Sequence, residues 1–184
     1  GSEELGKKIA EKFGEGFNSI LLENHGTVTC GASMMEAYQR FETLDFCARM
    51  EMQANIIAKP SGLTADKIEF SNQADQLHEF KPGVKSSRER ELRKQLCDFV
   101  RRSYRQQLFT SSEGTYAVRL ENDSFLVTPS GKDRLWIDED DIVLVKEGKR
   151  ETGKTPSRAA RFIRNIFKAQ PHITIGLTPV LLEQ

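Results

Sequence analysis

The segment LLENHGTVTCG, residues 21–31, contains a histidine whose surroundings suggest chemistry. His25 precedes Gly26 and lies between two short apolar runs that are typical of strands joined by a glycine turn. A neutral imidazole is a suitable zinc ligand, but a catalytic zinc site needs about three protein ligands. The other histidines, His78 and His172, are distant in the sequence. The segment therefore leaves two interpretations open, a metal ligand or a residue of a simple turn.

A second candidate is Thr128-Pro129-Ser130-Gly131. Proline at the second position and glycine at the fourth are typical of a simple turn, whereas hydroxyls and backbone amides in the same place can cradle an anion. A later segment, Thr155-Pro156-Ser157, precedes a helical pattern whose N-terminal N–H groups favour anions. The neighbouring Arg158 would either add a charge-assisted contact to a phosphate or remain solvated.

Composition restricts the partners of this 184-residue chain. Lysine plus arginine equals aspartate plus glutamate at 27 each, so the net charge attracts neither nucleic acid nor an anionic membrane, and any anion site must be local. No segment has the apolar length of a membrane span or a signal peptide. Three widely spaced cysteines favour reduced thiols over disulfides. We therefore expect a cytoplasmic protein that binds neither nucleic acid nor membrane.

Apolar periodicity and turn residues predict the elements that position these candidates. Ser33 and Glu36 form a capping box at the start of a long helix that ends before Pro60. The expected elements are a helix over 3–14, strands over 17–22 and 27–30, a helix from 34, a loop or linker over 60–86 with at most one short helix, a helix from 86, strands meeting at 121–123, a strand over 141–146, a helix starting at 155–157 and a final buried strand from 172.

Two stretches together resemble the class II aldolase/adducin family. LLENHGTVTCGASMMEAYQRFETLDFCA resembles the strand, Asn-His-Gly turn, strand and long helix of that family. TYAVRLENDSFLVTPSGKDRLWIDEDDIVLV, followed by TPSRAARFI and KAQPHITIGL, resembles its N-terminal half. The resemblance implies an α/β fold with a central, mostly antiparallel sheet, helices on both faces and homo-oligomeric assembly. The alternation of predicted strands and helices agrees with this class.

The order of the two stretches is reversed relative to the family. The late half occupies about residues 3–58 and the early half about residues 87–184. We expect residues 1–60 to be the C-terminal half of one aldolase-like module, residues 61–86 a linker, and residues 87–184 the N-terminal half of a second module. Either a fragment of a tandem protein or a permuted chain would have this order.

The family's aldol cleavage implies a divalent metal, zinc or another ion, that polarises the substrate oxygens. Its ligands are three histidines, and His25 matches the one in the Asn-His-Gly turn. The positions of the other two fall at Thr178 and Val180, and the family's acid/base glutamate falls at Ala159. This chain therefore lacks part of the metal site and an obvious agent for proton transfer.

The phosphate-binding groups of the family are better matched. The resemblance implies that Thr128, Ser130, Gly131 and Ser157 bind the phosphate of a phosphorylated sugar. Thr115 replaces an asparagine of the family's first phosphate loop, and Arg158 replaces a serine, so the site is altered as well.

Two hypotheses for the function follow. In the first, the parent protein is a metal-dependent aldehyde lyase of sugar phosphates, with His25 as one ligand and the His-x-His pair upstream of Glu3. In the second, the chain is a catalytically degenerate, adducin-like member that serves assembly or ligand binding. Under both hypotheses we expect this chain alone to lack aldolase activity.

Overall fold

A computed structural model describes residues 2–72, 77–121 and 123–178. By its internal contacts the chain divides into two compact units, Gly1–Ser61 and Gly62–Gln184. This division lies close to the expected boundary at residue 60. Within the described residues, no helix is long and apolar enough to cross a membrane.

Unit 1 contains two helices and a hairpin: α1 (Glu3–Gly14), β1 (Ser19–Leu22), β2 (Gly26–Thr29) and α2 (Met34–Ile57). The predicted caps are present. The Ser33 hydroxyl accepts a hydrogen bond from the Glu36 amide at 3.1 Å, and the Glu36 carboxylate accepts one from the Ala32 amide at 2.7 Å. The antiparallel hairpin turns through Asn24, whose φ is 56°. Each of these elements confirms a prediction from the sequence.

Unit 1 has no buried residue among those described. Its two-stranded sheet is too small to enclose a core, and an isolated hairpin is only marginally stable. Large apolar side chains consequently face solvent, among them Leu21 at 74% exposure and Ile57 at 88%. Unit 1 therefore has the elements of a domain but lacks the interior that stabilises one.

Unit 2 is built on a six-stranded sheet. Its elements are α3 (Ala65–Asn72), β3 (Glu79–Phe80), α4 (Ser87–Arg105), β4 (Thr115–Glu121), β5 (Ser124–Val127), β6 (Val143–Lys146), β7 (Lys149–Glu151), α5 (Ala160–Ala169) and β8 (Ile175–Thr178). The strand order is β3-β7-β6-β5-β4-β8, and every pairing is antiparallel except the parallel β3–β7 pair. The predicted α/β fold with a mostly antiparallel sheet is confirmed.

Successive side chains of the central strands of unit 2 point to opposite faces of the sheet, where they form two separate cores. On one face Leu126 packs with Val100 of α4, and both side chains have 0% exposure. On the other face Phe125 packs with Ile163 of α5. The helices thus cover opposite faces of one sheet, as the resemblance implied.

Buried charges join α4 to the edge of the sheet. The Arg93 guanidinium, 1% exposed, donates to Glu89 of the same helix at 2.9 Å and to Glu151 of β7 at 3.1 Å. Glu151 also accepts from the Leu144 amide at 3.1 Å and pairs with Lys154 at 2.8 Å. Burial alone would raise the pKa of Glu151, but these hydrogen bonds outweigh it and hold that pKa below its ordinary value.

Two sequence predictions are corrected. Helix α5 begins at Ala160 rather than at Thr155-Pro156-Ser157, because Pro156 forms a bridge with Pro129 and the segment stays extended. The last strand was expected to be buried, but β8 ends the sheet, and Ile175 and Leu177 are 59% and 55% exposed. The remainder of that predicted strand, residues 179–182, lies outside the described residues, as does Asn122 of the predicted turn.

The predicted linker and the cysteines also have defined positions. Residues 61–86 contain helix α3 and strand β3, and Phe80 of β3 pairs with Glu151. Cys97 is a buried free thiol whose pKa burial raises to about 12, and Cys30 is half-buried. Cys97 is therefore the cysteine that best meets the expectation of a buried, reduced thiol.

The absence of buried side chains in unit 1 has a measurable consequence. We expect the amides of residues 41–48 in α2 to exchange with solvent about 10-fold or more faster than those of residues 96–100 in α4, because α4 contributes to a core and α2 does not. Hydrogen exchange followed by mass spectrometry measures both helices in one sample. Equal protection of the two helices would show that unit 1 is held by an interior of its own.

The Glu151 carboxylate is expected to contribute stability that depends on pH. Glu151→Gln should lower the free energy of unfolding by about 2 kcal/mol at pH 7, because it removes one of the two carboxylates that pair with the buried Arg93 guanidinium and leaves Glu89 as the other. The folded-state pKa is lowered, so the contribution is full above the ordinary pKa and lost as pH falls through the folded value. In urea titrations the gap to wild type should therefore narrow below about pH 4. A gap that is constant with pH, or as small as that of the exposed control Glu121→Gln, would contradict this role.

Candidate functional site

The hairpin of unit 1 places His25 at its tip. The His25 amide donates to the Leu22 carbonyl at 3.1 Å, which closes the turn, and the residue is exposed. Gly26 follows with a φ of 155°, a value that side chains rarely allow, so the sequence Asn-His-Gly suits this turn. The imidazole is therefore presented to solvent on a tight hairpin.

A set of metal donors is not present among the described residues. They contain no group of three or more histidine, cysteine, aspartate or glutamate side chains that could hold a metal ion. His78 and His172, both in unit 2, are exposed. One imidazole does not supply the three protein ligands of an open zinc site, so the described residues do not fit the metal that the family implies.

The positions that match the missing catalytic groups have structural roles here. Thr178 closes the β8–β4 ladder opposite Thr115. Ala159 is the residue before α5 and makes no side-chain cap, because a methyl group has no hydrogen-bonding atom. Val180 lies outside the described residues. Neither Thr178 nor Ala159 can supply the imidazole or carboxylate that the family's reaction requires.

The four candidate phosphate-binding residues lie on two loops that pair with each other in unit 2. We call residues 128–131 and 155–157 the paired loops. The Ser130 amide donates to the Thr155 carbonyl, and the Ser157 amide donates to the Thr128 carbonyl, both at 2.9 Å. The structure thus brings residues together that are widely separated in the sequence, and it places them just before α5.

Members of the paired loops differ in their access to solvent. Ser130 and Gly131 are exposed, and Ser157 is half-buried. Thr128 has 0% exposure, and its hydroxyl accepts the Tyr116 amide at 3.2 Å, which extends the β4–β5 ladder. The Ser157 hydroxyl is hydrogen-bonded to that of Thr115. Thr128 therefore positions Ser157, whereas Ser130 and Gly131 are open to a ligand.

A buried arginine stabilises the first of the paired loops through hydrogen bonds to main-chain carbonyls. Arg134, 1% exposed, donates to the carbonyls of residues 112, 113, 114, 129 and 132 at 2.9–3.2 Å. Burial lowers its pKa to about 10, which still leaves the guanidinium charged at neutral pH. A rigid fork with five N–H donors suits such a ring of acceptors. Arg134 thereby joins the start of β4 to the loop that follows β5.

Sequence reasoning did not identify Arg134. It lies in the charged stretch KDRLWIDEDD, where an arginine is ordinarily solvated. Only the fold shows that main-chain carbonyls surround it. Nearby, a hydrogen bond to Asp141 raises the pKa of Lys132, so the outer rim of the same loop carries a firmly protonated ammonium group. Arg158, a further basic residue beside the paired loops, is exposed.

Arg134 is expected to be required for the shape of the paired loops. Arg134→Lys keeps the charge but cannot serve five acceptors, so the free energy of unfolding should fall by about 3 kcal/mol. Urea denaturation measures this loss, with the exposed Arg158→Lys as the matched control. If Arg134→Lys stayed within about 0.5 kcal/mol of wild type, as a surface change does, the guanidinium fork would not hold the loops.

Comparisons with known proteins relate this chain to one family. The model of the Class II Aldolase and Adducin N-terminal domain matches residues 1–52 and 94–175, which is most of the chain. Decarboxylase NovR of Streptomyces niveus is 36% identical over 61 residues, covering 33% of this chain and 22% of its own length.

Two solved structures are similar to part of this chain at low sequence identity. YgbL of Escherichia coli is 22% identical with a TM-score of 0.47, and the match covers 50% of this chain and 44% of YgbL. L-fuculose 1-phosphate aldolase of Glaciozyma antarctica PI12 is 20% identical with a TM-score of 0.44, covering 54% of this chain and 45% of that enzyme. The chain thus spans less than half the length of each of these relatives. From the family model that matches both of its units, the chain belongs to the class II aldolase and adducin family.

Proposed function

We propose that unit 2 binds the phosphate of a phosphorylated sugar at the paired loops, and that this chain is one portion of a metal-dependent aldehyde lyase. The convergence of Ser130, Gly131 and Ser157 before helix α5 is the observation that carries the proposal. The Ser130 and Ser157 amides already donate between the loops, so the serine hydroxyls and the Gly131 amide are the groups offered to an anion near the start of the helix. The name of one relative, L-fuculose 1-phosphate aldolase, is consistent with this class of substrate.

Direct and indirect roles in the proposed site follow from exposure. Ser130 and Gly131 are exposed and Ser157 is half-buried, so these three contact the phosphate. Gly131 has a φ of 68°, which orients the backbone of the loop in a way that other residues rarely allow. Thr128 acts through its carbonyl, which holds the Ser157 amide, and not through contact with the ligand.

Cleavage of a carbon–carbon bond is not assigned to this chain alone. We propose His25 as one ligand of the divalent metal, and imidazole is a suitable ligand for zinc. The other ligands of this metal would come from residues outside the described part of the chain. The acid/base position carries Ala159, and a matching ligand position carries Thr178. These two residues have no group that abstracts or donates a proton in the family's reaction.

A binding or assembly role like that of adducin is the second candidate. Ala159 and Thr178 favour it for the module to which unit 2 belongs. The lack of an interior in unit 1 favours assembly as well, because exposed apolar side chains gain stability when another copy or segment covers them. We therefore propose that the protein forms a homo-oligomer. From its balanced charge we also propose that it has no nucleic-acid or membrane partner and is located in the cytoplasm.

The phosphate site can be tested with dihydroxyacetone phosphate, the smallest ketose phosphate. We expect residue-resolved NMR shifts of the Ser130, Gly131 and Ser157 amides on titration of the full chain. Ser157→Asp places a carboxylate beside the bound anion, so the dissociation constant should rise by about 10-fold or more. Ser87→Asp, an equal change of charge at the start of α4, is the matched control.

The same two variants also define the outcomes that would contradict the proposed phosphate site. Circular dichroism of both variants first establishes that they are folded. Saturable binding that Ser157→Asp and Ser87→Asp weaken equally, or shifts that do not include the paired loops, would remove the phosphate role from these residues.

A further inference from the structure

A separate cavity lies at the opposite end of strand β5 from the paired loops. It has a volume of about 190 Å³ and lies between the end of the β4–β5 hairpin and the second half of α5. Ser124 at one end of β5 lines it, whereas Thr128 of the paired loops follows the other end, about 13 Å away at the rise of a strand. A ligand of the paired loops would therefore not occupy this cavity.

The cavity has an excess of positive charge. Three cationic side chains, Arg119, Arg164 and Lys168, line it together with one carboxylate, Asp123. The chain as a whole has equal numbers of cationic and anionic side chains, so this local imbalance is not a consequence of composition. Like charges gathered beside a low-dielectric surface attract an anion more strongly than isolated surface charges do.

Asp123 and Arg164 neutralise each other. The guanidinium donates two hydrogen bonds to the carboxylate, at 3.0 and 2.8 Å. The hydrogen bond from Arg164 lowers the pKa of Asp123, and the same bond raises the pKa of Arg164. This pair contributes an internal counter-ion and leaves the other two cations to a ligand.

Arg119 and Lys168 keep donor capacity. Arg119 uses Nε toward the Ile173 carbonyl at 3.0 Å and Nη2 toward the Phe167 carbonyl at 2.5 Å and the Gln170 carbonyl at 3.3 Å. Its Nη1 makes no hydrogen bond to any residue that the structure describes. Lys168 is 3.8 Å from the Asp123 carboxylate, which is longer than a hydrogen bond, and its side chain is 53% exposed.

The floor of the cavity is formed by two aromatic rings. The rings of Phe125 and Phe167 meet edge to face with centroids 5.7 Å apart, and both residues are buried. The Arg119 guanidinium lies 4.7 Å from the centre of the Phe167 ring, a cation–π contact that fixes its orientation. A fixed guanidinium loses little conformational freedom when it binds a ligand.

We propose that this cavity is a second binding site for a small oxyanion, held by Arg119 Nη1 and the Lys168 ammonium, with Asp123 as the internal counter-ion that limits affinity. A phosphate or carboxylate group of a small metabolite has the required chemistry. A volume of about 190 Å³ accommodates such a group with a few further atoms, since a cavity of about 150 Å³ holds one benzene. The dianion is expected to bind more tightly than the monoanion because the local excess is two positive charges.

Titration of the full chain with inorganic phosphate, and separately with acetate, tests this site by NMR. We expect saturable shifts of the Ser124 and Lys168 amides, with phosphate binding more tightly than acetate at neutral pH. Lys168→Met should raise the dissociation constant for phosphate about 5-fold, and Asp123→Asn should lower it about 5-fold because the competing carboxylate is gone. Lys94→Met, which removes an equal charge from an exposed position of α4, is the matched control and should leave the dissociation constant for phosphate unchanged.

Asp123→Asn separates the proposal from a purely structural role of the Asp123–Arg164 pair. A structural pair predicts lower stability in this variant and no gain in anion affinity. Absence of saturation at Ser124 and Lys168, equal effects of Lys168→Met and Lys94→Met, or unchanged phosphate affinity in Asp123→Asn would each overturn the site. Phosphate shifts confined to the paired loops would also overturn it.

Discussion

The candidate site depends on one buried charge, the Arg134 guanidinium. Five main-chain carbonyls on two segments converge on it, so the turn before β4 and the loop after β5 cannot separate without exposing unsatisfied acceptors. Through the Pro129 carbonyl the same interaction reaches the paired loops. The exposed Ser130 and Gly131 and the half-buried Ser157 therefore lie on a scaffold that is fixed from inside the protein.

The two units differ in what holds them. Unit 2 has a sheet with a core on each face and a buried ion-pair network between α4 and β7. Unit 1 has correct local structure, including a capped helix and a tight hairpin, without a buried residue among those described. Local propensity and capping thus suffice to specify helices and a turn, whereas an interior requires additional strands. This contrast is the physical basis for proposing that other segments or copies complete unit 1.

Short-range patterns predicted much of this structure. The capping box at Ser33, the glycine turn after His25 and the two strands β4 and β5 follow local rules, and the structure agrees with each. The predicted start of α5 was wrong because Pro156 pairs with Pro129, which lies on a loop distant in the sequence. The role of Arg134 and the basic cavity beside Asp123 were missed for the same reason, since neither has a signal within one sequence window.

Membership of the class II aldolase and adducin family does not by itself give this chain the family's chemistry. We propose that His25 is one ligand of a metal site whose remaining ligands are not among the described residues of this chain. Elemental analysis for zinc tests it most directly, after the purified full chain and His25→Ala have been incubated with zinc and dialysed. We expect well below one zinc per chain in both proteins. One zinc per chain, lost in His25→Ala, would contradict it and show that the chain completes its own metal site.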